Sequence, residues 1–392
     1  MLVCSYLIMS VNPQPYIKQN SFIGVRHRED LKDILPRFHE IRSRLESEKL
    51  SSYQKTIVRD AIDEVLEETL PPDGNPPFAL QSYNVEEISR LSNEDLPRYI
   101  FYRYRYDTFP KRKRLDSFPP CLQIEPASVC NYRCLFCYQI DEEFTTKSNG
   151  MMGMMSLSLF KRIIDQAEGQ CEAITLASRG EPLICPDIEA MLRYARGKFL
   201  ALKLNTNAWF LDEKLCHAIL ESGVNTIVFS ADAATEPAYS AFRVNGNLER
   251  VHENIKRFHH IRERHYSESR TISRVCGVKV PGADTLETME KFWGELVDQV
   301  AFVKYNPWEN SYDQPVNDIS ESCSDLWRRM FIWWDGKVNP CDVDYKSKLK
   351  IGSASEGDLA EIWQSGKYTH LRESHLTGRR CKEFPCNRCS VV

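Results

Sequence analysis

Cys130, Cys134 and Cys137 stand in C-x3-C-x2-C spacing, three thiols on one short loop with no fourth cysteine close by. Each iron of a four-iron cluster wants an outside ligand. Three protein thiolates would therefore leave one iron open to an exogenous chelate, much as catalytic zinc sites keep one position free. The same three thiols also fit half of a structural zinc site, and residue types alone leave both readings open. A second group occupies the last eighty residues: Cys323, Cys341, Cys381, Cys386 and Cys389, the last two as a C-x2-C pair. A small region with several thiols and little apolar sequence is a candidate for folding around a metal.

The elements that would position these thiols follow from the rest of the chain. Its 392 residues, 42% hydrophobic and 27% charged with a net charge of −4, describe a soluble globular protein of two to three domains. Fourteen cysteines fall well short of the roughly 8–10% of a disulfide scaffold. Met1–Met9 lacks the charged start of a signal peptide and is too short to span a bilayer. A cytoplasmic chain is expected, with reduced thiols, in which clustered cysteines are metal ligands and neither secretion nor membrane association is foreseen. The scattered Cys4, Cys121, Cys171, Cys185, Cys216 and Cys276 read as inert buried thiols, and the nine histidines as solvated surface. Phe101–Arg114 mixes six basic residues with five aromatics, the composition of a nucleic-acid contact. Against the net charge of −4, a strand-like linker with Arg and Tyr on opposite faces is the expectation instead.

Apolar spacing divides the chain into three units. Residues 1–116 read as a mostly helical extension, with helices over Glu29–Leu50, from a cap at Ser51 or Ser52 to Leu70, and near Val85–Leu91. Pro36 kinks the first or marks its start, and Pro71–Pro77 breaks the chain. Residues 117–310 alternate six short strands (Leu122–Glu125, Ala173–Ala177, Ala201–Asn205, Thr226–Ser230, Ile272–Val280, Ala301–Tyr305) with five helices. That rhythm predicts an α/β fold with a parallel sheet, open or partly closed into a barrel. Its chemistry belongs in the loops after the strands, and the three-cysteine loop follows the first. Residues 311–392 are loop-rich, with one helix near Leu359–Tyr368.

C-x3-C-x-aromatic-C, with Phe136 as the aromatic, resembles the signature of the radical S-adenosylmethionine (SAM) enzymes. The resemblance implies a partial (β/α)6 TIM-like barrel in which Cys130, Cys134 and Cys137 hold a [4Fe–4S] cluster. SAM chelates the open iron and is cleaved to a 5′-deoxyadenosyl radical that takes hydrogen from substrate; the protein supplies orientation and shielding. Ser178-Arg179-Gly180-Glu181-Pro182 is similar to the family's Gly-Gly-Glu-Pro loop for the SAM amino group, with Arg179 in place of a glycine. Asn205-Thr206-Asn207 is similar to the family's polar Thr-Asn end after the third strand, with Asn207 as the implied cofactor contact. Ser230, with Asp232 and Arg243, matches the pattern for ribose and carboxylate, and Phe136 and Tyr138 flank the adenine position. In order along strand–helix units, these pieces identify the chain as a member of that superfamily.

The C-terminal cysteines are similar to the SPASM and shorter twitch domains that hold auxiliary [4Fe–4S] clusters. A full SPASM domain has cysteines for a second auxiliary cluster; the five here suffice for one, assigned to Cys323, Cys341, Cys386 and Cys389 with Cys381 spare. A structural zinc site is the alternative. By domain content the chain resembles the dehydrogenases that oxidise an alcohol on an aminocyclitol. That implies two-electron oxidation of a sugar-like or other small polar molecule, with Glu309 or Asp313 after the sixth strand as candidate base, and an external electron donor such as flavodoxin or ferredoxin. Peptide-modifying maturases are the rival within the class; many begin with a strand-containing leader-binding domain, whereas residues 1–116 read as helical. A non-catalytic scaffold with two metal sites is the rival outside it.

Overall fold

Strands with Leu, Ile or Phe at every second position bury one face against helices and turn the other inward. The computed structural model describes residues 14–18, 20–25, 31–67, 74–280 and 284–392. Met1–Met9, Cys4, Glu29, Leu70 and Pro71–Asp73, on which parts of the sequence reading fall, lie outside them. The strands are β1 (Asn20–Val25), β2 (Cys121–Ile124), β3 (Ala173–Leu176), β4 (Ala201–Thr206), β5 (Thr226–Ser230), β6 (Ile272–Lys279), β7 (Gln299–Lys304), β8 (Arg329–Ile332), β9 (Lys337–Asn339) and β10 (Gly352–Ser353). They form one sheet in the order β1-β7-β6-β5-β4-β3-β2-β8-β9-β10. Strands β2 to β7 are parallel and consecutive, the expected partial (β/α)6 barrel.

The crossover helices are α6 (Leu157–Ala167), α7 (Ile188–Ala195), α8 (Glu213–Glu221), α10 (Leu248–His265) and α11 (Leu286–Trp293), with α5 (Glu142–Thr145) and α9 (Glu236–Phe242) in the loops after β2 and β5. Their starts are written locally: Ser156, Asp212, Asn247 and Thr285 each accept a hydrogen bond from a backbone N–H in the first turn. Phe160, Ile163, Ile164 and Ala167, at helical spacing on α6, pack on Leu122, Ile124, Ile174 and Leu176. The alternate strand positions, among them Gln123, Thr175, Lys203 and Arg274, face the barrel interior.

The N-terminal helices α1 (Leu31–Arg44), α2 (Ser52–Val65), α3 (Ser82–Ser89) and α4 (Leu96–Arg112) enclose a second core around Phe38, Ile41, Ile57, Ile62 and Tyr104. Ser51 caps α2 in a capping box with Gln54, and Pro36 lies inside α1. The region is mostly helical as expected, but β1 joins it to the barrel, antiparallel to β7. The strand-like linker expected over Phe101–Arg114 is instead helix α4. It is buried on most sides between the barrel and the other helices, so the alternation of Arg and Tyr does not mark two faces. Arg103 and Arg105 are buried among aromatic rings and paired with Asp107 at 2.7 Å and Asp116 at 2.5 Å, which removes them from any nucleic-acid surface.

The C-terminal region is less separate than its loops suggest. Strand β8 pairs in parallel with β2 and extends the sheet past the barrel. It carries α12 (Asp325–Arg328), α13 (Leu359–Trp363) and α14 (Gly366–Leu376), two helices where one was expected around residues 359–368. Trp327, Trp333 and Trp363 are fully buried. Their indoles supply the apolar bulk that sparse aliphatic sequence concealed. Among the described residues no helix is long and apolar enough to cross a membrane.

Candidate active site and auxiliary metal centre

The loop after β2 places Cys130, Cys134 and Cys137 at the carboxyl edge of the barrel, all three within electrostatic range of one another. Burial pushes the Cys130 thiol up to about 12 and also raises Cys134 and Cys137, so metal binding here must displace protons. Donors already converge on the sulfurs. Tyr132 N–H points at Cys130 Sγ at 3.5 Å, Asn207 Nδ2 at the same atom at 3.9 Å, and Arg243 Nη1 at Cys134 Sγ at 3.8 Å. Arg243 is held by a buried ion pair of its Nε with Asp232. Its Nη2 has no partner among the described residues, leaving part of the fork free for a carboxylate.

The loop after β3 is pinned under the cysteine loop by Glu181 N–H donating to Val129 O at 2.9 Å. Gly180 is required there: a Cβ would lie 2.5 Å from Ala127 O, Ser128 C and Val129 O. Gly180→Ala is expected to lower stability by about 3 kcal/mol through this backbone clash, read as a drop in Tm. Glu181 is buried, and burial raises its carboxyl. It accepts from Thr206 Oγ1 at 2.6 Å, Leu183 N at 3.0 Å and Asn207 N at 2.7 Å. A carboxylate has about four acceptor positions, so one remains for an ammonium.

Arg179 turns away from this site. It forms a buried ion pair with Glu125 at 2.6 Å, donates to Tyr345 O at 2.9 Å and lies 4.3 Å over the Trp333 ring. The residue that replaces a family glycine thus ties the β3 loop to the C-terminal region. Arg179→Gly would strand Glu125, which is 0% exposed, and is expected to cost about 3–5 kcal/mol; chemical denaturation measures it.

A cavity of about 230 Å³ lies between these loops. Phe136, Tyr138, Ser178, Gly180, Glu181, Asn207, Ser230 and Arg243 all line it, together with the three cysteines. Ser178 Oγ and Asn205 Oδ1 on its wall are buried with no partner. Each costs about 1–3 kcal/mol unless a ligand satisfies it, so the residues present fit a polar cofactor bearing hydroxyl, ammonium and carboxylate groups. Tyr138 donates to Ser178 O at 2.8 Å and stacks on Tyr345 at 4.9 Å. Of the candidate bases, neither lines the cavity; Asp313 is exposed, while Glu309 accepts from the cavity residue Tyr305 at 2.5 Å. Asn205, which opens the Asn205-Thr206-Asn207 end of β4, lines the cavity beside Asn207.

The second group is assembled as well. Cys323, Cys341, Cys386 and Cys389 are mutually within electrostatic range, while Cys381 is exposed and outside the group. Buried Arg380 braces the C-terminal loop through Cys386 O at 3.2 Å and Cys389 O, and Glu321 O at 3.0 Å. His375, expected on the surface, is buried; Cys323 N–H donates to its Nδ1 at 3.1 Å. Residues 14–18 strap the centre: Tyr16 bridges Val391, and Lys18 pairs with Asp325 at 2.8 Å and Asp342 at 2.6 Å. No sequence signal marked that strap, because its contacts lie some 300 residues away.

Comparison with known proteins agrees with this arrangement. The family model of the Radical SAM superfamily matches residues 124–291, and that of the SPASM iron-sulfur cluster-binding domain matches residues 323–390. The chain is 32% identical over 303 residues to the tungsten-containing aldehyde ferredoxin oxidoreductase cofactor-modifying protein of Pyrococcus furiosus, covering 64% of this chain and 82% of that one. It is 20% identical over 282 residues to the S-adenosyl-L-methionine-dependent 2-deoxy-scyllo-inosamine dehydrogenase of Niallia circulans, covering 71% and 95%. Streptococcus suis SuiB bound to precursor peptide SuiA shares the fold, with a TM-score of 0.56 at 16% identity over 87% of this chain and 88% of that one. The chain belongs to the radical SAM superfamily and carries a C-terminal SPASM domain. Its cofactors are accordingly a [4Fe–4S] cluster, SAM and auxiliary iron–sulfur.

Proposed function

We propose that the protein is a radical SAM dehydrogenase performing a two-electron oxidation of a sugar-like or other small polar molecule. In this reading Cys130, Cys134 and Cys137 hold the SAM-binding cluster, and Cys323, Cys341, Cys386 and Cys389 hold one auxiliary [4Fe–4S] cluster. Glu181, Arg243, Ser178, Asn207 and Ser230 hold SAM, beside Phe136 and Tyr138. When bound, these groups supply a hydrogen-abstracting radical and a one-electron acceptor, recharged by an external donor of the flavodoxin or ferredoxin kind.

The observation that carries the reading is the Tyr305–Glu309 pair. Tyr305 lines the cavity beside Lys304, Asn306 and Trp308. Glu309 Oε2 is buried without a partner, and burial raises its carboxyl. Such a carboxylate is suited to taking a proton relayed through Tyr305. Loss of a hydrogen atom from the alcohol carbon, of the hydroxyl proton to Glu309 and of one further electron leaves a carbonyl product. Asp313, exposed and off the cavity, has no part in it.

The Niallia circulans dehydrogenase supports a small-molecule substrate. The helices α1, α2, α3 and α4 of the N-terminal region weigh against a leader-peptide domain. The test supplies the anaerobically reconstituted enzyme with a panel of polyols, aminocyclitols and cysteine-containing peptides. Formation of 5′-deoxyadenosine matched by a new carbonyl on a polyol or aminocyclitol is expected; turnover on peptides alone contradicts the reading. Glu309→Gln is expected to keep SAM cleavage and lower carbonyl product by about a hundredfold or more. The acid limb of the pH profile, where wild-type activity rises as the carboxyl deprotonates, should vanish with it.

A further inference from the structure

The lower half of the barrel holds a second chamber that the chemistry at the upper edge does not use. Closed (β/α)8 barrels fill their interior with layers of branched apolar side chains. Here the inward positions near the amino ends of the strands are Lys203 on β4, Arg274 on β6 and Arg329 at the start of β8. With Tyr102 and Tyr106 from α4, they line the inner part of an open cavity of about 1160 Å³, whose outer wall also carries Glu87, Asp95, Asp107, Glu221 and Glu268.

Cations nearer its rim are matched: Arg90 with Glu86 at 2.8 Å, Arg98 with Glu172 at 2.8 Å, Arg103 with Asp107 at 2.7 Å. Two of those inside, Lys203 and Arg329, make no such ion pair among the described residues, although Asp325 lies within electrostatic range of Arg329. Among the described residues Lys203 has neither a carboxylate within ion-pair distance nor a hydrogen-bond partner. Arg329 donates to the Tyr106 hydroxyl, and its Nε is buried with no partner. Arg274 Nε donates to the neutral amide of Gln299 at 2.6 Å. Burial, with Arg329 and Arg274 nearby, pushes the Lys203 amine down to about 8. Half-buried positive charge with no carboxylate on Lys203 attracts an anion into the recess.

We propose that this chamber is a binding site for a phosphate-bearing ligand, held by Lys203 and Arg329 at the amino ends of the strands. A phosphate dianion offers several acceptor oxygens, which an ammonium, a guanidinium fork and tyrosine hydroxyls together satisfy; a monoanionic carboxylate leaves charge and donors over. The site is independent of the cysteine loops and does not rest on the dehydrogenase reading.

Thermal unfolding of the reconstituted full chain at fixed ionic strength tests it, with inorganic phosphate, glycerol 3-phosphate and acetate as probes. A saturable rise in Tm with phosphate or the ester, absent with acetate, is expected. Lys203→Gln and Arg329→Gln should each weaken it about tenfold or more, Lys203→Arg should largely restore it, and SAM binding should be unchanged in all three. A stronger response to the ester identifies an organic phosphate as the occupant, and an equal one free phosphate. No saturable phosphate response in the wild type, an equal response to acetate, or a response undiminished in both Gln variants overturns the proposal. Should the variants not fold, labelling of the wild type decides. Pyridoxal 5′-phosphate condenses with an amine with loss of water, and borohydride reduces the imine. Lys203 should be labelled and phosphate should protect it; no labelling there, or labelling that phosphate leaves untouched, overturns the site.

Discussion

Cys134→Ala is expected to abolish reductive cleavage of SAM while the fold and the auxiliary iron remain. Cys134 is buried in the middle of the ligand loop, and Arg243, itself locked to Asp232, points at its sulfur. Removing it leaves two thiols where three are needed to hold a four-iron cluster with one open iron. Changes to groups behind metal ligands already cost about 10–100-fold, so loss of a ligand should exceed a hundredfold. The assay is 5′-deoxyadenosine formed with dithionite as reductant, alongside an iron count. Cleavage near the wild-type rate would remove Cys134 from the ligand set.

Cys341→Ala should separate the two centres. Cys341 faces Cys323, Cys386 and Cys389, far along the chain from the SAM loops, and Glu181, Arg243 and the cavity are untouched by its loss. SAM cleavage should therefore persist, while oxidised product falls by about a hundredfold or more, because the second electron has lost its acceptor. Metal binding and folding are coupled in such small regions, and β8 shares the barrel sheet. The melting profile and SAM affinity of the variant therefore accompany the assay. Undiminished product from a folded Cys341→Ala protein would refute the electron-acceptor role.

The barrel was legible in sequence because its strands obey a local rule. Short runs rich in Ile, Val, Leu or Phe, with helical stretches between them, placed all six strands to within a residue or two. The ligand loops were legible for a related reason: close spacing and the order of strand ends carry their chemistry. What sequence missed depends on distant partners. Helix α4 was misread because burial on most sides hides helical period under an alternation of Arg and Tyr. The union of β8 with β2 joins residues some two hundred positions apart. Arg179 looked like a flaw in a glycine motif, and only Glu125, Trp333 and Tyr345 together show it as a tie between domains. Glu309 was separable from Asp313 only once Tyr305 was seen to reach one of them.

The central claim is one open cluster for SAM and one closed cluster for electrons, and a single preparation tests it most directly. After anaerobic reconstitution, iron and zinc are counted and 5′-deoxyadenosine is measured on reduction. Two four-iron clusters predict about eight irons per chain, no stoichiometric zinc, and SAM cleavage. About one zinc per chain with no 5′-deoxyadenosine would contradict it.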